Sequence, residues 1–568
     1  MSFLTWALIA YVTAAAASPA RRAPNPFVVL DNATVIGATN GTTTQFLGIP
    51  FAQPPVGDLR LRLPQPISPY EGLINATSFG NQCIQQDFVL PLFPADVPEP
   101  AQEYLEAFIS IQDVPQSEDC LNLNVITPAN ATSESKLPVV VWIYGGGFQL
   151  GSNAVQPGDV IVARSIEIGH PIVYVAMNYR LGAFGFLGGR EVKEAGIGNL
   201  GLQDQREAFR WIQKYISAFG GDPSKVTIWG ESAGAISVSL HMLTNGGDTE
   251  GLFRAGFMES GSPGMYGDIL EIQATYDQIV SDAGCASASD TLQCLRTVPA
   301  NVLHAAMDKS PSFVDFVQVN TPWNIRSDGV FLTEPPQQLL MKGQIANIPI
   351  VIGNDEDEGS AFAFPSLNVT TDDQFFDYLS SNFYPKASSD ELAPILDLYP
   401  ADPATGSPFG TGDAFAYSPQ YKRISAFQGD WVEQAPRRLF ARELAKTQPV
   451  YVFCAYRLHS FCELLRDRDA QHWATTVNKG GKIEGIGAAH GSELANVYGG
   501  GDMADYLIRF ASTLDPNGDG AFHWPPYTSE SPQLLTFQDG AVPLAMGEDT
   551  YRAAQMEYLQ GLSLKYPA

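Results

Sequence analysis

Continuous apolar runs punctuate this chain more often than alternating ones. Residues 137–144 (LPVVVWIY), 171–177 (PIVYVAM), 225–229 (KVTIW), 348–352 (IPIVI) and 450–455 (VYVFCA) are rich in β-branched and aromatic side chains. Such runs predict strands buried on both faces, as in a mostly parallel sheet. Between them, residues 203–217 bring Ala208, Trp211, Ile212 and Tyr215 onto one helical face. The alternation predicts an open α/β sheet with helices on both sides. In such sheets ligands bind beyond the carboxyl ends of the strands, so chemistry is sought there. No internal repeat or low-complexity linker divides the chain.

One strand end carries a distinctive turn. After KVTIW comes Gly230-Glu231-Ser232-Ala233-Gly234, and residues 235–243 then read as a helix. A serine with glycine two places to either side, between strand and helix, forms a nucleophile elbow. A Cβ at either glycine would collide with neighbouring backbone. Serine at the apex is expected to stand exposed above the sheet, where the helix N-terminus favours developing negative charge. Such a serine needs oxyanion donors and a base. Gly145-Gly146-Gly147-Phe148 follows directly on the run 137–144, which makes the N–H groups of Gly146 and Gly147, with that of Ala233, the expected donors.

The base and acid are less sharply drawn. The elbow's chain order, serine then acid then histidine, excludes His170 and disfavours His241 and His304. His459, His472, His490 and His523 remain. His490 lies in the small-residue loop Ala488-Ala489-His490-Gly491-Ser492-Glu493, which suits a mobile imidazole, whereas His523 beside Trp524-Pro525-Pro526 reads as structural. The acid should follow a strand between serine and histidine. Asp355, Glu356, Asp357 and Glu358 all follow IPIVI, and spacing does not separate them. At least three of the four are expected to belong to a solvated acidic loop.

Charge and processing signals narrow the setting. The 568 residues carry 33 Lys and Arg against 61 Asp and Glu, a net charge of −28, which repels nucleic acid and anionic lipid. The apolar run 3–12, followed by Ala14 to Ala17 and Ser18, predicts a signal peptide over residues 1–17. Residues 18–568 are then a single catalytic domain. No later run reaches the roughly 18 apolar residues of a membrane span. Asn32, Asn40, Asn75, Asn130 and Asn368 each open a glycosylation acceptor triplet. Six cysteines in an export context predict disulfides. Proximity pairs Cys285 with Cys294; Cys454 and Cys462 either form a local disulfide, which leaves Cys83 with Cys120, or remain thiols. The stretch Asp515-Pro516-Asn517-Gly518-Asp519-Gly520 opens like a calcium loop, but Pro526 stands where a bidentate Glu is needed, and no metal site is expected.

Taken together, the motifs resemble the type-B carboxylesterase/lipase family over nearly the whole mature chain. They are Leu47-Gly48-Ile49-Pro50-Phe51-Ala52, Pro54-Pro55-Val56-Gly57, the stretch from Glu118-Asp119-Cys120 to Val125, the glycine loop, Asn178-Tyr179-Arg180, Phe219-Gly220-Gly221-Asp222-Pro223 and the elbow. The resemblance implies an α/β-hydrolase fold with a large, mostly parallel sheet and long loop insertions. It implies a catalytic Ser232, with Glu358 ahead of Gly359-Ser360 as acid and His490 ahead of Gly491 as base; Glu231 and Glu493 support them. It implies Cys83–Cys120 and Cys285–Cys294 disulfides. In related lipases the first loop carries a lid; here it is either such a lid, in contact with lipid interfaces, or a packed surface excursion. The expected activity is cofactor-free hydrolysis of carboxylic esters, lipophilic or aromatic. Two rivals are an inactive binding module on the same fold and an amide hydrolase with the same triad.

Overall fold

The computed structural model describes residues 25–109, 114–156, 158–456, 482–538 and 542–567. The signal segment, His459, Cys462 and His472 lie outside the described residues. Five strands open the chain: β1 (Phe27–Leu30), β2 (Asn32–Ile36), β3 (Ala38–Asn40), β4 (Thr43–Pro50) and β5 (Glu71–Asn75). The central strands are β6 (Asn122–Pro128), β7 (Leu137–Ile143), β8 (Val173–Met177), β9 (Gly221–Glu231) and β10 (Ala255–Glu259). The rest are β11 (Ile350–Asp355), β12 (Val450–Ala455), β13 (Gln533–Phe537) and β14 (Leu544–Glu548).

Among the described residues, eleven strands form one sheet in the order β14-β13-β12-β11-β10-β9-β7-β8-β6-β4-β3. From β8 to β13 every neighbouring pair is parallel, and antiparallel pairs occur only towards the two edges. Every residue of β8, β11 and β12 is buried, as the continuous apolar runs require, and so is every residue of β10, which no such run announced. The helix Leu200–Tyr215 buries the predicted Ala208, Trp211, Ile212 and Tyr215. All residues of the helix Ala233–Leu243 are buried, so it sits inside the fold rather than on its surface. This is an α/β-hydrolase fold.

Several motifs act as struts beneath the strand ends. Arg180 pairs bidentately with Asp204 at 2.7 and 2.8 Å, both buried. Tyr179 stacks on Tyr144 with centroids 4.4 Å apart and donates its hydroxyl to the Tyr144 carbonyl at 2.7 Å. That carbonyl immediately precedes the glycine loop, so Asn178-Tyr179-Arg180 anchors the loop's entry. Glu118 grips Arg60 next to Cys120. Disulfides join Cys83 to Cys120 and Cys285 to Cys294, while Cys454 is a buried free thiol on β12. All five glycosylation asparagines are exposed. No helix among the described residues is long and apolar enough to cross a membrane.

Candidate active site

Three neighbouring loops at carboxyl ends of the parallel strands converge. The glycine loop follows β7, the serine turn follows β9, and the acidic loop follows β11. At the turn, Ser232 has φ 53° and ψ −126°, a left-handed conformation that a side chain adopts only under constraint. Crowding supplies the constraint. A Cβ at Gly230 would lie 2.4 Å from the Gly234 carbonyl carbon, and one at Gly234 would lie 1.9 Å from the Ile143 oxygen. The Ser232 N–H donates to the Glu259 carbonyl on β10 at 2.9 Å. Ser232 then caps the helix Ala233–Leu243. It is only 9% exposed, so the apex lies under other segments instead of standing open above the sheet.

The acidic loop departs further from expectation. It is packed, not solvated: Asp355, Asp357 and Glu358 are buried and Glu356 is half-buried. Burial is affordable because the loop's neighbours supply partners. Asp357 accepts from the Ser407 hydroxyl, the Phe409 N–H and the Ala488 N–H at 2.9, 2.7 and 3.0 Å. Its own N–H donates to the Ala488 carbonyl at 2.9 Å. Asp357 therefore stitches the acidic loop to the loop that carries His490. Glu356 pairs with Lys482, and Asp355 accepts from the Ser492 N–H at 3.2 Å. Glu358 alone of the four turns to the imidazole.

Glu358 Oε1 accepts the Asp355 N–H at 2.8 Å, which orients the carboxylate. Its Oε2 lies 2.6 Å from His490 Nδ1. A proton on Nδ1 leaves Nε2 as the nitrogen that can accept another. His490 is 1% exposed and packed between Phe362 and Phe108, so the imidazole is held in place where a mobile one was expected. Burial pushes its pKa down, but neighbouring carboxylates, Glu358 foremost, outweigh this and raise it to about 10. Glu231 Oε1 is 3.5 Å from Nε2, and burial lifts the Glu231 carboxyl to about 8. Behind it, burial also raises Glu259, Asp355 and Glu493.

Ser232, His490, Gly147 and Ala233 line one cavity. Gly146 lies just behind its wall, with φ +90°; a Cβ there would meet the Leu150 carbonyl at 2.4 Å. A Cβ on Gly147, at φ +60°, would press on the Phe313 ring at 2.9 Å. The other histidines among the described residues do not line it. His241 is buried against Gln205, His304 lies beside Asp308, and His523 is exposed while Trp524 does the packing expected of it. Asp87, His304 and Asp308 bring ligand atoms within 4.8 Å of one another, and none of them lines this cavity.

The cavity contains residues that no motif announced. Phe108 comes from the helix Glu99–Phe108 inside the Cys83–Cys120 excursion, Phe362 follows Glu358 by four residues, and Phe313 and Glu433 come from segments farther away along the chain. Tyr104 of the same helix donates to the His490 carbonyl at 2.5 Å. A second cavity shares Phe108, Phe313 and Phe362 and is lined further by Leu90, Pro91, Phe93 and Phe364. The phenylalanine-rich composition of residues 88–109 is the signal that could have found the aromatic wall; nothing comparable marks Glu433.

Residues 24–558 match the model of the carboxylesterase family. The chain belongs to that family. It is a carboxylic ester hydrolase. It is 38% identical over 553 residues to "Secreted lipase 1" of Botryotinia fuckeliana (strain B05.10), covering 94% of this chain and 92% of that one. It is 34% identical over 562 residues to "Secreted triacylglycerol lipase LIP1" of Gibberella zeae, covering 96% and 92%. The crystal structure of Aspergillus niger EstA superposes with a TM-score of 0.78 at 28% identity, over 96% of this chain and 99% of that one. Within this carboxylesterase, the strained serine, the buried Glu358–His490 pair and the glycine loop all meet at one cavity.

Proposed function

We propose that this carboxylesterase hydrolyses lipophilic esters outside the cell through a Ser232–His490–Glu358 acyl-enzyme mechanism. The 2.6 Å contact between His490 Nδ1 and Glu358 Oε2, in the cavity that also receives Ser232, is the observation that carries the reading. Nε2 of His490 takes the Ser232 hydroxyl proton as Oγ attacks the ester carbonyl. The N–H groups of Gly146, Gly147 and Ala233 hold the oxyanion, and the imidazolium, stabilised by Glu358, returns its proton to the leaving alcohol. Water, activated by the same imidazole, then releases the acid. Gln149 to Gly151 continue the glycine loop as its support.

The aromatic cavity and the apolar one beside it favour an acyl group that is long or ring-bearing. The Cys83–Cys120 excursion acts as a lid. Val89 and Leu92, 84% and 97% exposed, offer it an apolar edge for a lipid interface. The names of the Botryotinia and Gibberella relatives support secretion and a lipase-like substrate. Residues 1–17 are then removed, and 18–568 act as one catalytic domain. Replacing Ser232 with Ala tests the mechanism: the folded variant should lose all ester turnover, and turnover retained at the wild-type rate would refute it.

A further inference from the structure

The helices Tyr421–Gly429 and Ala435–Leu444 are joined without a break by a π-helical turn, Asp430–Gln434. Such wide turns alter which way side chains point and recur at functional sites. Charged groups along this stretch are otherwise well partnered. Asp430 receives Arg552 and the Tyr399 hydroxyl, Arg437 and Arg438 share Asp549, and Arg423 reaches Asp372. Glu433 differs. It is 2% exposed, its Oε2 is buried without a hydrogen-bond partner, and among the described residues it forms no ion pair. It lines the cavity with Ser232 and His490.

Gln149 and Asn324, also on the cavity wall, are already engaged. Gln149 Nε2 donates to Thr321 Oγ1 at 3.2 Å, and Asn324 Nδ2 donates to the Val319 carbonyl at 2.9 Å. Glu433 is an unsatisfied polar group on the same wall. A buried carboxyl without a partner opposes folding, and a ligand group that completes its hydrogen bonds relieves that cost. Burial and the neighbouring Glu358 also raise its pKa well above the carboxylate range, which favours the neutral acid. A neutral carboxyl donates through O–H and accepts through C=O, matching a hydroxyl, which does both. The adjoining cavity is walled by apolar and aromatic residues and does not include Glu433. An acyl chain seated there leaves the alcohol part of the ester on the Glu433 side.

We propose that Glu433 binds a hydroxyl on the alcohol part of the ester, so that the cavity selects partial esters of polyols, such as monoacylglycerols, over simple alkyl esters. This rests on the reading of Ser232 as nucleophile with the acyl chain in the apolar cavity. Nothing in the chemistry requires Glu433 to move a proton; it acts on binding alone.

The test compares 2,3-dihydroxypropyl butyrate with propyl butyrate, which differ only in two hydroxyls, at a pH where the rates no longer change. The wild-type enzyme should prefer the dihydroxypropyl ester in kcat/KM by about tenfold or more, the scale of one buried hydrogen bond. Glu433→Leu should bring the ratio of the two kcat/KM values down to about one, whatever it does to the rate on propyl butyrate, and Glu433→Gln should retain most of the preference. Active-site titration with a phosphonate ester corrects each variant for folded enzyme. A wild type without the preference overturns the proposal even if the leucine variant does not fold, as does an equal loss on both esters in Glu433→Leu. Failure of the nucleophile reading looks different: Ser232→Ala would still hydrolyse both esters.

Discussion

Tyr104 donates its hydroxyl to the backbone carbonyl of His490 across 2.5 Å, tying the Cys83–Cys120 excursion to the loop that carries the imidazole. Phe108, one helical turn further on, packs against the same ring with centroids 6.1 Å apart. If the excursion lifts at a lipid surface, this hydrogen bond must break. Tyr104→Phe removes it, which favours the lifted state by ~1 kcal/mol, a factor of about five in the closed-to-open ratio. The variant should hydrolyse a dissolved, sub-micellar ester faster than the wild type and show a smaller jump in rate when micelles form. An unchanged jump across the micellar threshold would separate Tyr104 from any lid motion.

In the proposed mechanism, the imidazole's electrostatics set the acid limb of activity. His490 must be neutral to accept the serine proton, and Glu358 with its neighbours raises its pKa to about 10 against the pull of burial. Activity is therefore lost as pH falls below a titration lying above the ordinary histidine value of ~6.5. Glu358→Gln removes the charge that holds the proton. Its kcat should fall by about 10²–10⁴-fold, and what activity remains should have its acid limb at lower pH. Profiles of kcat/KM against pH on a soluble ester decide it; a variant whose limb stays in place would mean that another group sets the titration.

Gly147 offers a test of the oxyanion assignment that leaves serine, histidine and acid untouched. A Cβ there must tolerate φ +60° and lie 2.9 Å from Phe313 Cδ1, a ring edge facing the cavity. The backbone N–H shifts in response. Gly147→Ala should lower kcat by about 10²-fold or more with a small change in KM, the pattern expected when transition-state charge loses a donor. A rise in KM alone would assign Gly147 to substrate fit.

What the chain discloses and what it hides follow from the range of the forces involved. Strands β8, β11 and β12 are buried on both faces, so their apolar runs were legible, and the elbow glycines were legible because backbone crowding at Gly230 and Gly234 is local. Strand β10, AGFME, is just as buried but offers no continuous apolar run, and the sequence did not announce it. The short edge strands β3 and β14 carry no buried residue, and pairing alone defines them. Four acidic residues in a row read as solvated because the partners of Asp355, Asp357 and Glu358, from Ser407 to Ser492, lie far away in sequence. Glu433 was illegible for the same reason. A glutamate in a helix is ordinarily exposed, and only the packing of remote insertions turns this one into the cavity.

The buried carboxyls make stability depend on pH in an unusual direction. Burial raises Glu231 to about 8, and raises Glu259, Asp355, Glu433 and Glu493 as well. A carboxyl whose folded pKa exceeds its unfolded value near ~4 binds its proton more tightly in the native state. Its stabilising effect is complete below the unfolded value and disappears as pH rises through the folded one. Asp549 has the opposite sign, since burial is outweighed by Arg437 and Arg438, which hold its pKa down. Its contribution disappears only in more strongly acid solution, as pH falls below the unfolded value and through the folded one. The melting temperature should therefore peak in mildly acid solution and decline steadily from about pH 5 to pH 8. Growing repulsion within a chain of net charge −28 at pH 7 acts in the same direction. Glu231→Gln, which keeps the shape and removes the titration, should flatten the upper part of that decline in calorimetric scans. A melting temperature that rises from pH 5 to pH 8 would mean that these carboxyls are ionised and paired in the native enzyme.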